Sequence, residues 1–240
     1  MTRWRTIGVI GGMGPAATAD FLGRLVAAAG AARDEDHPRV LVDSNPRVPD
    51  RNAARTGTGP SPGPVLADMA RGLVAAGAEV LAMPCNAAHG WASDVRAAVA
   101  GRSARTAPGA VFIDMIDAAV TQAAASGARH VGVLAIGATL DARLYHDRLG
   151  ARGITVLEPD RAAVQCLVDR IKAGDTGPEV RAAMAAQAAR MIAAGADAII
   201  AACTEVPLAL SADDVAAVFI DATSALVAAT LAEAGRPAPA

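Results

Sequence analysis

The string AAGAEVLAMPC, ending at Cys85, returns in the second half of the chain as AAGADAIIAAC, ending at Cys203. Ala75, Ala76, Gly77 and Ala78 align with Ala193, Ala194, Gly195 and Ala196 at one constant offset. An acidic residue follows in each copy (Glu79, Asp197), then an apolar run, the cysteine and a small polar residue (Asn86, Thr204). Two further segments match in the same order. Ile7, Gly8, Val9 and Ile10 correspond to Val131, Gly132, Val133 and Leu134, and AVFID ending at Asp114 returns verbatim ending at Asp221. Three ordered matches describe a duplication, so the chain must fold as two similar halves with a thiol at the same point of each.

Each matched segment is a short apolar, β-branched run bounded by Gly, Pro or polar residues, the pattern of a parallel strand buried on both faces. Alanine-rich stretches with helical spacing separate them. Val164, Leu167, Val168 and Ile171 share one helix face, and Met184, Ala188, Met191 and Ile192 share another. Alternation of strand and helix gives an α/β fold with a four-stranded parallel sheet in each half. Strands are predicted near 5–10, 39–43, 79–83, 110–113, 130–135, 154–157, 197–201 and 217–220. The stretch from Ser44 to Pro64 is rich in Pro and Gly and has no periodicity. It reads as a long loop after the second strand, on the side where open α/β sheets bind ligands.

Composition narrows the function. Twenty-two basic and 24 acidic side chains give a net charge of −2. That balance argues against nucleic acid or an acidic membrane surface as a partner. Only 2% of residues are aromatic, too few to build stacking platforms. No uninterrupted apolar run is long enough for a membrane span. Arg3 and Arg5 precede an apolar stretch, but its glycines and Pro15 suit a strand and turn better than a leader helix. Three cysteines without a CxxC pair suggest free thiols in a reducing, cytoplasmic setting and no metal site.

Cys85 and Cys203 both fall where a strand ends and a helix is predicted to begin. Asn86 and Thr204 are favoured N-cap residues, and a helix N-terminus presents free N–H groups and a positive dipole end. Such a site lowers a thiol pKa and attracts a substrate carboxylate. Cys166 has no repeat partner and is read as structural.

GGMGP (Gly11 to Pro15), NPRVPDR (Asn45 to Arg51), MPCNAAH (Met83 to His89), IKAG (Ile171 to Gly174) and ACTEVPL (Ala202 to Leu208) together resemble the aspartate/glutamate racemase family. These racemases work without pyridoxal phosphate. The resemblance implies two pseudo-symmetric α/β domains with the active site in the cleft between them, and a homodimer. The first domain would be 1–114, with a C-terminal helix, 222–240, packing back on it; the second would be 115–221. It implies an amino-acid substrate and no cofactor. One cysteine as thiolate would remove the α-proton from one face, and the other as thiol would protonate the opposite face. Asn86, Thr204 and Thr139 would donate to the substrate carboxylate as charge develops there. Arg51 and Lys172 would bind the distal carboxylate; Lys172 is the only lysine in the chain. Met13 and Asn45, from the first two motifs, complete the expected substrate-binding set. His89 and Tyr145 are candidates for supporting roles.

Two positions depart from the family pattern. Ala87 stands where threonine is usual, and Asn52 replaces the threonine that often follows the PDR arginine. A missing hydroxyl at a carboxylate-binding turn points toward a related substrate or an altered chiral preference, and Ala87→Thr would then raise activity on aspartate or glutamate. The rival functions are an isomerase or decarboxylase of small diacids on the same paired-thiol architecture, and a dinucleotide-binding protein. The latter rests on Gly12-Met13-Gly14-Pro15-Ala16-Ala17, a G-x-G-x-x-(G/A) pattern that is weak alone. Its ribose-binding acid would have to be Asp43, which comes late in the chain for that role, and both cysteines would be left unexplained.

Overall fold

The apolar runs form strands, and β-strands Ile7–Gly11, Val80–Ala82 and Ala198–Ala201 are buried along their whole length. In a computed structural model that describes residues 4–100 and 110–235, the chain divides into two compact units. One comprises Met1–Met115 and Leu226–Ala240, the other Ile116–Ala225.

The first unit runs β1 (Ile7–Gly11), α1 (Pro15–Ala29), β2 (Val40–Ser44), α2 (Arg51–Arg55) and α3 (Gly63–Ala75). β3 (Val80–Ala82), a 3-10 turn (Ala87–Trp91), α4 (Ala92–Ala100) and β4 (Val111–Ile113) follow. All strands are parallel, in the order β2-β1-β3-β4. β1 pairs with two neighbours at once, Ile7 facing both Val40 and Val80. Its residues are buried throughout, whereas the edge strand β2 is half-exposed. Each large aliphatic side chain buried in such a strand contributes about 1.5–3 kcal/mol.

The second unit repeats the plan. α5 (Met115–Ala125) starts on the last residue of the first unit. β5 (His130–Leu134), α6 (Gly137–Asp141), α7 (Leu144–Gly150), β6 (Thr155–Leu157) and α8 (Arg161–Lys172) follow. α9 (Pro178–Ala193), β7 (Ala198–Ala201), a 3-10 turn (Val206–Leu208), β8 (Val218–Asp221) and the first residues of α10 (Ala222–Ala234) complete it. The strand order is β6-β5-β7-β8, the same permutation as in the first sheet. Among the described residues there are four strands in each sheet, at the eight places where the apolar runs predict them. Val164, Leu167, Val168 and Ile171 are the buried face of α8, as their spacing requires.

The duplicated residues do matching work. Glu79 accepts the Thr6 N–H just before β1 at 2.9 Å, and Asp197 accepts the N–H groups of Arg129 and His130 where β5 begins. Gly77 and Gly195 follow the ends of α3 and α9 at the same positive φ of 102°, a conformation that costs glycine little. A side chain on Gly8 would strike Leu81 at 2.6 Å, and one on Gly132 would strike Ile199 at 2.6 Å. The repeat is therefore held by helix caps, close strand packing and strand-start carboxylates.

From Leu226 onward α10 belongs to the first unit. Arg5 donates to Glu233 at 2.7 Å with its side chain almost fully buried, and its backbone N–H donates to Ala234. Residues 236–240 of the expected C-terminal helix lie outside the described residues. The stretch expected to be a loop from Ser44 to Pro64 contains the short helix α2, and its last two residues, Gly63 and Pro64, open α3. Asp50 accepts the Ala53 N–H at 2.7 Å and caps the short helix α2, so local capping builds a turn of helix where no apolar periodicity announces one. Cys166 is exposed on α8, so packing does not explain it.

Candidate active site

In the first unit the expected residues gather at the carboxyl ends of β1, β2 and β3. The turn after β1 is shaped by its glycines. Gly12 sits at φ 90°, and a side chain there would meet the Asn45 backbone at 2.4 Å. The Gly12 N–H donates to Thr18 Oγ1 at 2.8 Å, and the Asn45 N–H donates to Gly11 O. The G-x-G pattern is thus explained by close approach to Asn45, and its first free N–H is already taken by Thr18. Neither feature suits a phosphate cradle. The Met13 side chain is buried beside this turn in sequence.

Arg51 opens α2, and its Nη1 donates to the carbonyls of Val48 and Pro49. Those bonds fold the guanidinium back over the loop and restrict its rotamers. α2 packs against the turn Ala87–Trp91, so Arg51 and the residues following Cys85 share one region of the unit. Cys85 and Asn86 are both buried.

The turn after Cys85 is not the α-helix start its sequence suggests. Asn86 has helical dihedrals and makes no cap hydrogen bond; a capping side chain needs extended dihedrals at that residue. The fixing element is His89. Its Nδ1 lies 2.8 Å from Cys85 O, and its Nε2 lies 3.0 Å from the Met115 N. A backbone N–H can only donate, so Nε2 accepts and Nδ1–H donates to the Cys85 carbonyl. Asp114, buried and held by Arg96 at 2.7 Å, has Oδ1 3.9 Å from Nε2.

In the second unit, Cys203 and Thr204 follow β7, and Thr139 lies in α6 after β5. Thr204 caps no helix: the following turn, Val206–Leu208, has Glu205 at its cap position and Pro207 in its first turn. Instead the Cys203 thiol donates to Glu205 Oε2 at 3.0 Å, and the Thr204 hydroxyl donates to the same oxygen at 3.2 Å. Glu205 is only 4% exposed. Burial pushes the Cys203 thiol well above its ordinary pKa, the Glu205 carboxylate adds to the rise, and the positive charge of Lys172 opposes it. The expected lowering by a helix N-terminus is therefore corrected for Cys203: desolvation and a buried like charge outweigh one short 3-10 turn. Lys172, exposed at the last position of α8, is near enough to act on that thiol. Thr139 is 1% exposed, and among the described residues its Oγ1 has no hydrogen-bond partner. A buried hydroxyl left so costs about 1–3 kcal/mol, a cost that a ligand oxygen would relieve.

Sequence reasoning missed Glu205. The available signal was an acid two residues beyond a thiol inside an otherwise apolar run. Among the described residues no group of three His, Cys, Asp or Glu side chains could hold a metal ion, and no helix is long and apolar enough to cross a membrane.

Residues 10–230 match the family described as Asp/Glu/Hydantoin racemase. The chain belongs to the Asp/Glu/Hydantoin racemase family. Within the curated proteins it is similar to a glutamate racemase of Roseiflexus sp., 33% identical over 148 residues; the match covers 60% of this chain and 50% of that protein. The chain thus aligns with only half the length of that relative. Among solved structures it resembles Picrophilus torridus aspartate racemase, with a TM-score of 0.84 and 28% identity over 98% of this chain and 96% of the other. A glutamate racemase from Francisella tularensis, solved with D-glutamate, shares the fold at a TM-score of 0.63 and 17% identity, covering 95% of this chain and 80% of the other. The family's two-domain fold matches the two parallel four-stranded sheets of this chain.

Proposed function

We propose that the protein is a cofactor-independent racemase of an acidic amino acid, aspartate, glutamate or a close analogue. The observation that carries this reading is the equivalence of Cys85 and Cys203. Each follows the strand in the same position of an identically ordered parallel sheet, in a chain of the Asp/Glu/Hydantoin racemase family. The likeness to an aspartate racemase over nearly the whole of both chains supports an acidic substrate.

In the mechanism that follows, one thiolate takes the α-proton while the other thiol delivers a proton to the opposite face of the same carbon. After turnover the first sulfur is protonated and the second is the thiolate, so the reverse reaction uses the same groups in exchanged roles. The α-carbon is a weak acid, and its developing charge passes into the carboxylate. Asn86, Thr139 and Thr204 supply donors there, while Arg51 and Lys172 bind the distal carboxylate and Met13 and Asn45 shape the surrounding turn. Glu205 accepts the Cys203 proton when that sulfur must act as a base. Thiol and carboxylate then share one proton and one negative charge, and a second buried charge never has to form. The enzyme works in the cytoplasm as a homodimer.

Chiral chromatography of L- and D-aspartate and L- and D-glutamate, incubated with purified protein and no added cofactor, tests this directly. Conversion of either enantiomer toward an equal mixture supports the reading. Inertness toward all four, with turnover of a small unsaturated or geminal diacid, would move the protein to isomerase or lyase chemistry on the same thiols.

A further inference from the structure

We infer that His89 is a positioning residue for Cys85, acting through the Nδ1–H that it donates to the Cys85 carbonyl; the inference rests on the racemase reading for its catalytic consequence. Three observations carry it. The imidazole is 3% exposed, and its two nitrogens meet backbone groups of opposite kind. Because the Met115 N–H can only donate, the ring is fixed as the neutral Nδ1–H tautomer. The ring also lies beside Phe112, with centroids 5.6 Å apart and planes at 31°, so its rotation is restricted on a third side.

The consequence for Cys85 is geometric. Cys85 sits in a tight turn, its own N–H donating to Met83 O at 2.8 Å, and a 3-10 turn follows it. The bond from His89 restrains the plane of the peptide that leaves Cys85 and hence the direction of its Cα–Cβ bond. Proton transfer depends steeply on the placement of the sulfur, so a small misplacement lowers turnover far more than it lowers binding. The same ring ties this turn to Met115, the first residue of α5. A purely structural reading would make that second bond the important one.

Two substitutions separate the bonds. His89→Asn places an amide N–H near the position of Nδ1 and has nothing to accept the Met115 N–H. His89→Gln places an amide oxygen near Nε2, where it can accept from Met115, and removes the Nδ1–H donor to the Cys85 carbonyl. The expected result is that His89→Gln lowers kcat at least tenfold, about 1.4 kcal/mol in the barrier, with KM within about twofold. His89→Asn should retain kcat within about threefold. Peptide-resolved alkylation gives a readout that needs no turnover. The labelling rate of Cys85 should shift severalfold in His89→Gln and not in His89→Asn, while that of Cys203 stays unchanged in both. The opposite order, equal damage in both variants, or wild-type behaviour in both overturns the proposal. If the wild-type protein racemises nothing, the alkylation comparison still decides the positioning role, and only the functional reading fails. Should either variant not fold, the imidazole 15N resonances of the wild-type protein decide. An Nδ1–H tautomer at His89 is expected, and an Nε2–H tautomer overturns the proposal.

Discussion

The Cys203 thiol and the Glu205 carboxylate are joined by a hydrogen bond of 3.0 Å while both side chains are buried. The resting second half-site is therefore a thiol beside a carboxylate. Burial, first, and the Glu205 charge, second, both hold the proton on sulfur. Glu205→Gln keeps the shape of the side chain and removes the charge. The pH midpoint for alkylation of Cys203 should fall in this variant yet stay above that of an ordinary thiol, because burial is the larger cause. An unchanged or higher midpoint would show that the carboxylate does not act on the sulfur.

The same thiol links stability to pH. The folded state raises the pKa of Cys203 well above its ordinary 9.0, so above about pH 9 the unfolded chain releases this proton while the folded chain keeps it. The stability that the protonated thiol contributes is full below the unfolded pKa and declines as pH rises toward the folded one. The slope from this group is at most about 1.4 kcal/mol per pH unit. Denaturant midpoints measured from pH 8 to pH 10.5 should fall less steeply for Cys203→Ala than for the wild type. Parallel curves would contradict the linkage.

Gly12→Ala tests the turn after β1. The substitution puts a side chain against the Asn45 backbone at a positive φ, a conformation costing about 1–3 kcal/mol before any clash is counted. A loss of at least about 2 kcal/mol in chemical denaturation is expected, together with loss of activity. A stable, active variant would mean that the turn can open without consequence.

Arg51 and Lys172 carry the charge proposed to select an acidic side chain. Arg51→Gln and Lys172→Gln should each raise KM for the acidic substrate by about tenfold or more, equivalent to about 1.4 kcal/mol. The effect on Arg51 should be the larger, since its guanidinium is already restrained by Val48 and Pro49 while Lys172 is exposed. Unchanged KM in both would remove them from the site.

Much of this was legible in the residues because duplication exposes which positions matter twice. The eight strands follow from short apolar runs, and the paired cysteines follow from their constant offset. The parts that were not legible share a physical cause: they depend on local hydrogen bonds with no periodic signature. α2 exists because Asp50 caps it within a Pro- and Gly-rich stretch. Asn86 and Thr204 look like caps, but helical dihedrals at the first and the diversion of the second to Glu205 deny both that role. The shift of the Cys203 pKa likewise depends on burial and on Glu205, neither of which a strand-to-helix pattern reveals. His89 lies one helical turn beyond Cys85 in MPCNAAH, a spacing that hints at contact but leaves open which ring nitrogen makes it.

Proton NMR of the α-position in D2O tests the two-thiol mechanism most directly. L-aspartate and L-glutamate are followed separately at early times, before the enantiomers mix. Two sulfurs acting on opposite faces predict deuterium in the newly formed D-isomer, little in the remaining L-isomer, and no racemisation in Cys85→Ala or Cys203→Ala. Racemisation that survives removal of either thiol, or a product that keeps the original proton, would contradict it.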